Sequence, residues 1–211
     1  MQTEESQTSD RADRLRVGVT GHRDDRLGNG NLATLRLRIR DVMIAISRIG
    51  CAVTVISPLA EGADQLAAEE AIEAGYRLEC PLPFPREEYA LDFGDGAPAQ
   101  SFRSLLAMAA VVDELPGTRL SPDTERAAYA AVGARVLDDA DLLLAVWDGQ
   151  EARGAGGTAE VVALAKAKGM PIIWVDAAAP HPVKVVTGQS AGCAGLSERL
   201  QMVMSEQIEQ R

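Results

Sequence analysis

The chain has 211 residues, 31 acidic against 21 basic, and a formal net charge of −10; 46% of it is hydrophobic and 25% charged. That length can bury one full core, and the acidic excess disfavours a nucleic-acid partner unless a local basic patch overrides it. Three cysteines without metal-ligand spacing and only two histidines argue against a metal site, and no apolar run approaches the ~20 residues that span a bilayer.

The first thirteen residues, MQTEESQTSDRAD, are polar, lack the apolar centre of a signal peptide and read as a disordered tail. The expectation is a cytoplasmic protein with no cofactor and no membrane association. Leu15–Thr20 is a short, β-branched first strand, followed by a loop rich in Asp, Gly and Asn. From residue 32 to 49 apolar residues recur at helical spacing, with Arg36, Arg38 and Arg40 on a solvated side. Ala52–Ile56 is the second strand and residues 63–74 a helix stopped by Gly75. A third strand, residues 76–80, is expected to break at the prolines of PLPFP. The middle is less regular: a helix over 101–110, a fourth strand over 111–115 and an alanine-rich helix over 123–137. A strand at 142–147, a glycine-rich turn, a helix at 157–168 and a strand at 171–175 follow. Strands separated by helices of this length imply βαβ units, hence an α/β, Rossmann-like, doubly wound fold with a mostly parallel sheet and helices on both faces. The domain is set at residues 14–176. Residues 177–211 form an extension that holds a short edge strand and an amphipathic helix over 196–208, which either packs on the sheet's outer layer or makes a dimer contact.

Three strand-to-helix junctions carry small residues: VGVTGHR (17–23), SPLAEGAD (57–64) and GAGGTAE (154–160). In an open parallel sheet such junctions share one edge, so the three can converge on one crevice. Gly156, Gly157 and Thr158 read as a phosphate cradle, because glycine lets backbone N–H groups approach an anion and the threonine hydroxyl can cap the helix or donate to it. Thr20, Gly21, His22, Arg23, Glu61 and Gly62 complete the ligand-binding set; Arg23 suits a phosphate as a charge-assisted donor. Glu160 and Asp148 are the candidate catalytic carboxylates; either could instead hold a sugar hydroxyl, and helix-dipole and turn-forming roles are the remaining alternatives. Glu61 and Asp64 flank Gly62 and could reach a ribose or cap the following helix, and for Asp64 the cap is the favoured reading. Tyr89, Phe93 and Tyr129 are read as core residues, with base stacking as the minor reading. His181 sits between prolines and is read as structural or exposed.

These segments resemble the SLOG superfamily, the Rossmann-like group that unites the DNA-processing protein DprA/Smf with the LOG proteins. ISPLAEGADQLAAEEAIEAG is similar to the DprA segment SGLARGID and its alanine-rich helix, and GAGGTAE to the LOG signature PGGxGTxxE. Pro58 stands where the DprA-like loop has its first glycine and Glu61 where it has arginine. Glu160 falls one residue before the signature glutamate, a displacement that also applies against nucleoside deoxyribosyltransferases and turns a helical side chain by ~100°. The resemblance implies a nucleotide or nucleotide-derived ligand at Gly21, Gly62, Gly157 and Thr158. The expected function is a sensor or regulatory module for such a ligand. The alternative is a nucleotide N-glycosidase, and binding of single-stranded nucleic acid comes third on charge. A homodimer or larger homo-oligomer fits both the resemblance and the C-terminal helix.

Overall fold

The computed structural model describes residues 14–27, 32–151, 157–178, 182–186, 188 and 194–209. The tail 1–13, Gly156, His181 and Cys193 lie outside the described residues. Among the described residues seven strands form one sheet: β1 Arg14–Gly21, β2 Ala52–Ile56, β3 Arg77–Leu82, β4 Val111–Glu114, β5 Leu142–Trp147, β6 Ile172–Asp176 and β7 Val183–Val186. Their order is β4-β3-β2-β1-β5-β6-β7, and every pairing is parallel except the antiparallel β6–β7 edge. The helices are α1 Leu32–Ser47, α2 Ala63–Glu73, the single turn α3 Arg86–Tyr89, α4 Ala97–Met108, α5 Pro122–Asp139, α6 Thr158–Ala167 and α7 Ala194–Glu209.

The expected doubly wound architecture is the one present. Leu142–Val146 of β5 are all buried, the continuous apolar run of a central strand covered on both faces. On one face Leu15, Val17 and Val19 of β1 join the larger apolar cluster with Leu35, Ile39 and Ile46 of α1 and Ala67 and Ala71 of α2. The other face carries α5 and α6, whose Leu137, Val161, Val162 and Ala165 pack on Leu143, Ala145 and Ile172. There Gly18 of β1 admits α5 at close range, since a Cβ would stand 2.8 Å from Val136.

Two expectations need correction. Strand β3 does not stop at the prolines but runs through Pro81, paired with Asp113 of β4. Glu79 offers its carbonyl to Ser57 on the β2 side, whereas Leu78 and Leu82 offer theirs to Ala110 and Leu115 on the β4 side. Pro81 shares the parity of Glu79, and its ring lies on the side where β2 has already ended, so no ladder bond is lost. The arginines of α1 are not simply solvated. Arg40 Nε lies 2.7 Å from Glu70 and Arg36 Nη1 3.1 Å from the same carboxylate, which is buried on α2. These bonds bridge the two helices across the same face of the sheet.

Beyond residue 176, β7 extends the sheet. Helix α7 packs on α1 and β7 and buries Leu200, Val203 and Met204. No helix among the described residues is long and apolar enough to cross a membrane.

Candidate functional site

From β1 the chain winds outward through β2 to β3 and β4, then returns through α5 to β5 on the opposite side of β1. The connections therefore diverge between β1 and β5, and at such a switch point the crevice beyond the carboxyl ends of the strands is left open. A cavity of about 290 Å³ occupies that place, near the low end of small-ligand sites, roughly 300–1,000 Å³. All three loops reach it: Thr20, Gly21, His22 and Arg23 from the first, Pro58 and Ala60 from the second, and Gly157 and Thr158 from the third. A fourth wall comes from α5, whose Tyr129, Val132, Gly133 and Val136 line it on one helical face.

The first two loops are locked together by backbone contact. Gly62 has φ +97°, and a Cβ there would meet the carbonyl oxygen of His22 at 2.6 Å. Only glycine accepts both the dihedral and the approach, which lets the Ala63 N–H donate to His22 O at 3.1 Å. Gly21 is equally confined, its hypothetical Cβ 2.3 Å from that of Ala63. Within the second loop Leu59 adopts φ +58°, a left-handed conformation that costs a branched side chain about 1–3 kcal/mol. Ser57 Oγ accepts its N–H at 3.2 Å, and Gln65 Nε2 donates to its carbonyl at 3.3 Å. The surroundings thus hold a strained turn at the rim of the cavity.

Asp64 does not cap its helix, contrary to expectation. Gly62 is the N-cap of α2 and has no side chain to offer, and Asp64 lies in the first turn. The residue lines the cavity and is only 4% exposed. It accepts hydrogen bonds from the backbone N–H groups of Ala60 and Gly21, which ties the first loop to the second. Its Oδ1 has no hydrogen-bond partner among the described residues. Burial raises this carboxyl to about 8, against the pull of the nearby Arg23 guanidinium, so at neutral pH it is mostly uncharged. Tyr89 reaches the cavity beside it, and burial raises its phenol well above the ordinary range.

Arg23 also lines the cavity. Its Nη2 lies 3.7 Å from Asp92, and its guanidinium stands 5.9 Å from the Tyr129 ring centroid. The Tyr129 hydroxyl donates to Asp92 at 2.5 Å, and Arg119 binds the same carboxylate at 2.5 Å while stacking on Phe84 at 4.1 Å. The core reading of the aromatic residues holds for two of the three. Tyr89 and Phe93 are buried and pack edge-on at 5.1 Å, with Phe102 stacked on Phe93 at 4.4 Å. Tyr129 is half-buried and contributes to the cavity wall.

The two candidate carboxylates stand apart from this cavity. Asp148 Oδ2 accepts from Arg26 at 2.6 Å, Oδ1 lies 2.9 Å from His22 Nε2, and the Gln150 N–H donates to Oδ1 at 3.0 Å. Against a burial penalty, these bonds lower the carboxyl to about 2. Asp148 is thereby an anchor for His22 and Arg26, which do line the cavity. Glu160, in the first turn of α6, and Glu61, half-buried in the second loop, are not among the lining residues. Thr158 does line it but does not cap α6. Gly157 is the N-cap, and no side chain among the described residues caps this end of the helix. The α5 wall is the part that sequence reasoning missed, and Asp64 the residue for which it preferred a helix cap over a place in the cavity. The spacing 129, 132, 133, 136 marks one helical face, but nothing local says which space that face borders.

Neither a protein-family model nor a curated protein matches this chain. Solved structures do. DNA processing protein A from Helicobacter pylori, described for its single-stranded DNA binding mode, aligns with TM-score 0.52 at 13% identity, over 93% of this chain and 81% of its own. DNA processing protein A from Streptococcus pneumoniae aligns with TM-score 0.51 at 13% identity, over 91% of this chain and 56% of its own. The molybdenum cofactor carrier protein from Chlamydomonas reinhardtii aligns more loosely, with TM-score 0.44 at 19% identity over 76% of each chain. At these identities the likeness is one of fold: a Rossmann-like α/β fold shared with DNA processing protein A.

Proposed function

We propose that the chain binds a small nucleotide or nucleotide-derived molecule in the cavity at the β1/β5 switch point, as a sensor or regulatory module. One observation carries this reading: three glycine-containing junctions and one face of α5 line a single cavity. Its walls differ in chemistry. Gly157 and Thr158 open a helix N-terminus toward an anion, and Arg23 and Arg26 add positive charge. Val19, Val132, Val136 and Val161 offer an apolar surface to a flat base.

N-glycosidic cleavage is the second reading, supported by Asp64, a carboxyl inside the cavity of the kind that donates or accepts a proton. Single-stranded DNA binding, reported for the Helicobacter relative of this fold, comes last, because a net charge of −10 opposes it.

Thermal unfolding against a panel of mononucleotides, with chromatography for released base, separates these readings. A ligand at a hundredfold its Kd stabilises by about 2.7 kcal/mol, which raises Tm by roughly 2–4 °C per kcal/mol for a chain of this size. Stabilisation without free base supports the sensor, and free base supports the glycosidase. No shift with any nucleotide contradicts both, and tight, salt-sensitive capture of a labelled single strand would favour the last.

A further inference from the structure

We propose that Asp64 is the point at which the cavity recognises a sugar hydroxyl, its Oδ1 pairing with a hydroxyl of the ligand's ribose. This rests on the nucleotide reading above and names the part of the ligand that the second loop reads.

The geometry is asymmetric. One carboxyl oxygen is held by the backbone N–H groups of Ala60 and Gly21, so the group is fixed by the two loops that build the cavity floor. The other, Oδ1, has no partner among the described residues although the side chain is 4% exposed. Leaving a buried polar atom unpaired leaves its desolvation cost uncompensated. Pairing by a bound ligand removes that cost.

The neighbours narrow the ligand group. An ammonium would compete with Arg23, whose charge already acts on this carboxyl. A phosphate is repelled whenever Asp64 is ionised. An apolar group leaves Oδ1 unpaired. A hydroxyl serves both protonation states, because it donates to the carboxylate and accepts from the carboxylic acid. Vicinal hydroxyls suit the place further, since Arg23, which lines the same cavity, can donate to the second one.

The test is calorimetric titration of the full chain with the four ribonucleoside 5′-monophosphates and their 2′-deoxy and 3′-deoxy forms, repeated on Asp64→Ala. In the wild-type chain, loss of one of the two hydroxyls is expected to weaken binding about tenfold, the size of one hydrogen bond that leaves a buried partner unpaired. In Asp64→Ala the ribo and deoxy forms should bind alike. A second measurement reads binding on the wild-type protein and uses a variant for assignment alone. The ¹³C carboxyl resonance of Asp64, assigned by its absence from Asp64→Asn, should move with the ribonucleotide and not with the deoxy form that binds weakly. Equal binding of ribo and both deoxy forms to the wild-type chain overturns the proposal and leaves the nucleotide reading intact. So does a tenfold preference that survives in Asp64→Ala, or a resonance that does not move. If no monophosphate binds the wild-type chain, the nucleotide reading fails and this inference falls with it.

Discussion

Asp64 and Asp148 are both carboxylates near the strand ends, and their surroundings push them in opposite directions. Asp148 is held low by hydrogen bonds from Gln150, His22 and Arg26, whereas burial lifts Asp64 to about 8. For Asp64 the folded value lies above the unfolded one, so the folded state binds more protons between about pH 4 and pH 8. Its contribution to stability is full below that window and is lost as pH rises through it, with a limiting slope of about 1.4 kcal/mol per pH unit. Asp64→Asn removes this titration. The variant is therefore expected to gain stability relative to the wild-type chain as pH rises from 5 to 8, read from denaturant midpoints at each pH. A constant difference across that range would contradict the assignment. Sequence alone left Asp64 between a ribose contact and a helix cap and favoured the cap, because an aspartate at the start of a helical run commonly caps it. The residue's place in the cavity depends on Gly62 bringing the His22 backbone within contact of the second loop, a long-range approach that no local pattern encodes.

Elements were more legible than residues. Strands β2 and β5 fall where β-branched and apolar runs placed them, because a strand buried on both faces leaves an uninterrupted apolar signature. Strand β3 was misjudged at Pro81, since the cost of proline depends on which neighbour its missing N–H would face. Helix α5 was recognised as a helix, but its part in the cavity follows from the sheet order, which sets it across the mouth of the switch point. Its start is fixed by a capping box, with Ser121 Oγ accepting the Thr124 N–H at 3.2 Å and Thr124 Oγ1 accepting the Ser121 N–H at 3.0 Å. Ser121→Ala is expected to cost about 1 kcal/mol, seen as a fall in Tm of roughly 2–4 °C. An unchanged Tm would mean that packing alone holds the start of α5.

For the whole molecule, the doubly wound order makes the site: with β1 central and the connections diverging beside it, three separate junctions meet around one space. That the junctions converge was legible from their composition, whereas the fourth wall and the buried carboxyl in the floor required the fold. The central claim is that these segments together hold a nucleotide-like ligand. Hydrogen–deuterium exchange of the full chain, with and without the mononucleotide that stabilises it most, tests this directly. Protection is expected together in residues 19–23, 58–64 and 157–161 and along α5 at 129–136. Protection confined to other segments, such as the β6–β7 edge or α7, would place the ligand elsewhere and contradict the account.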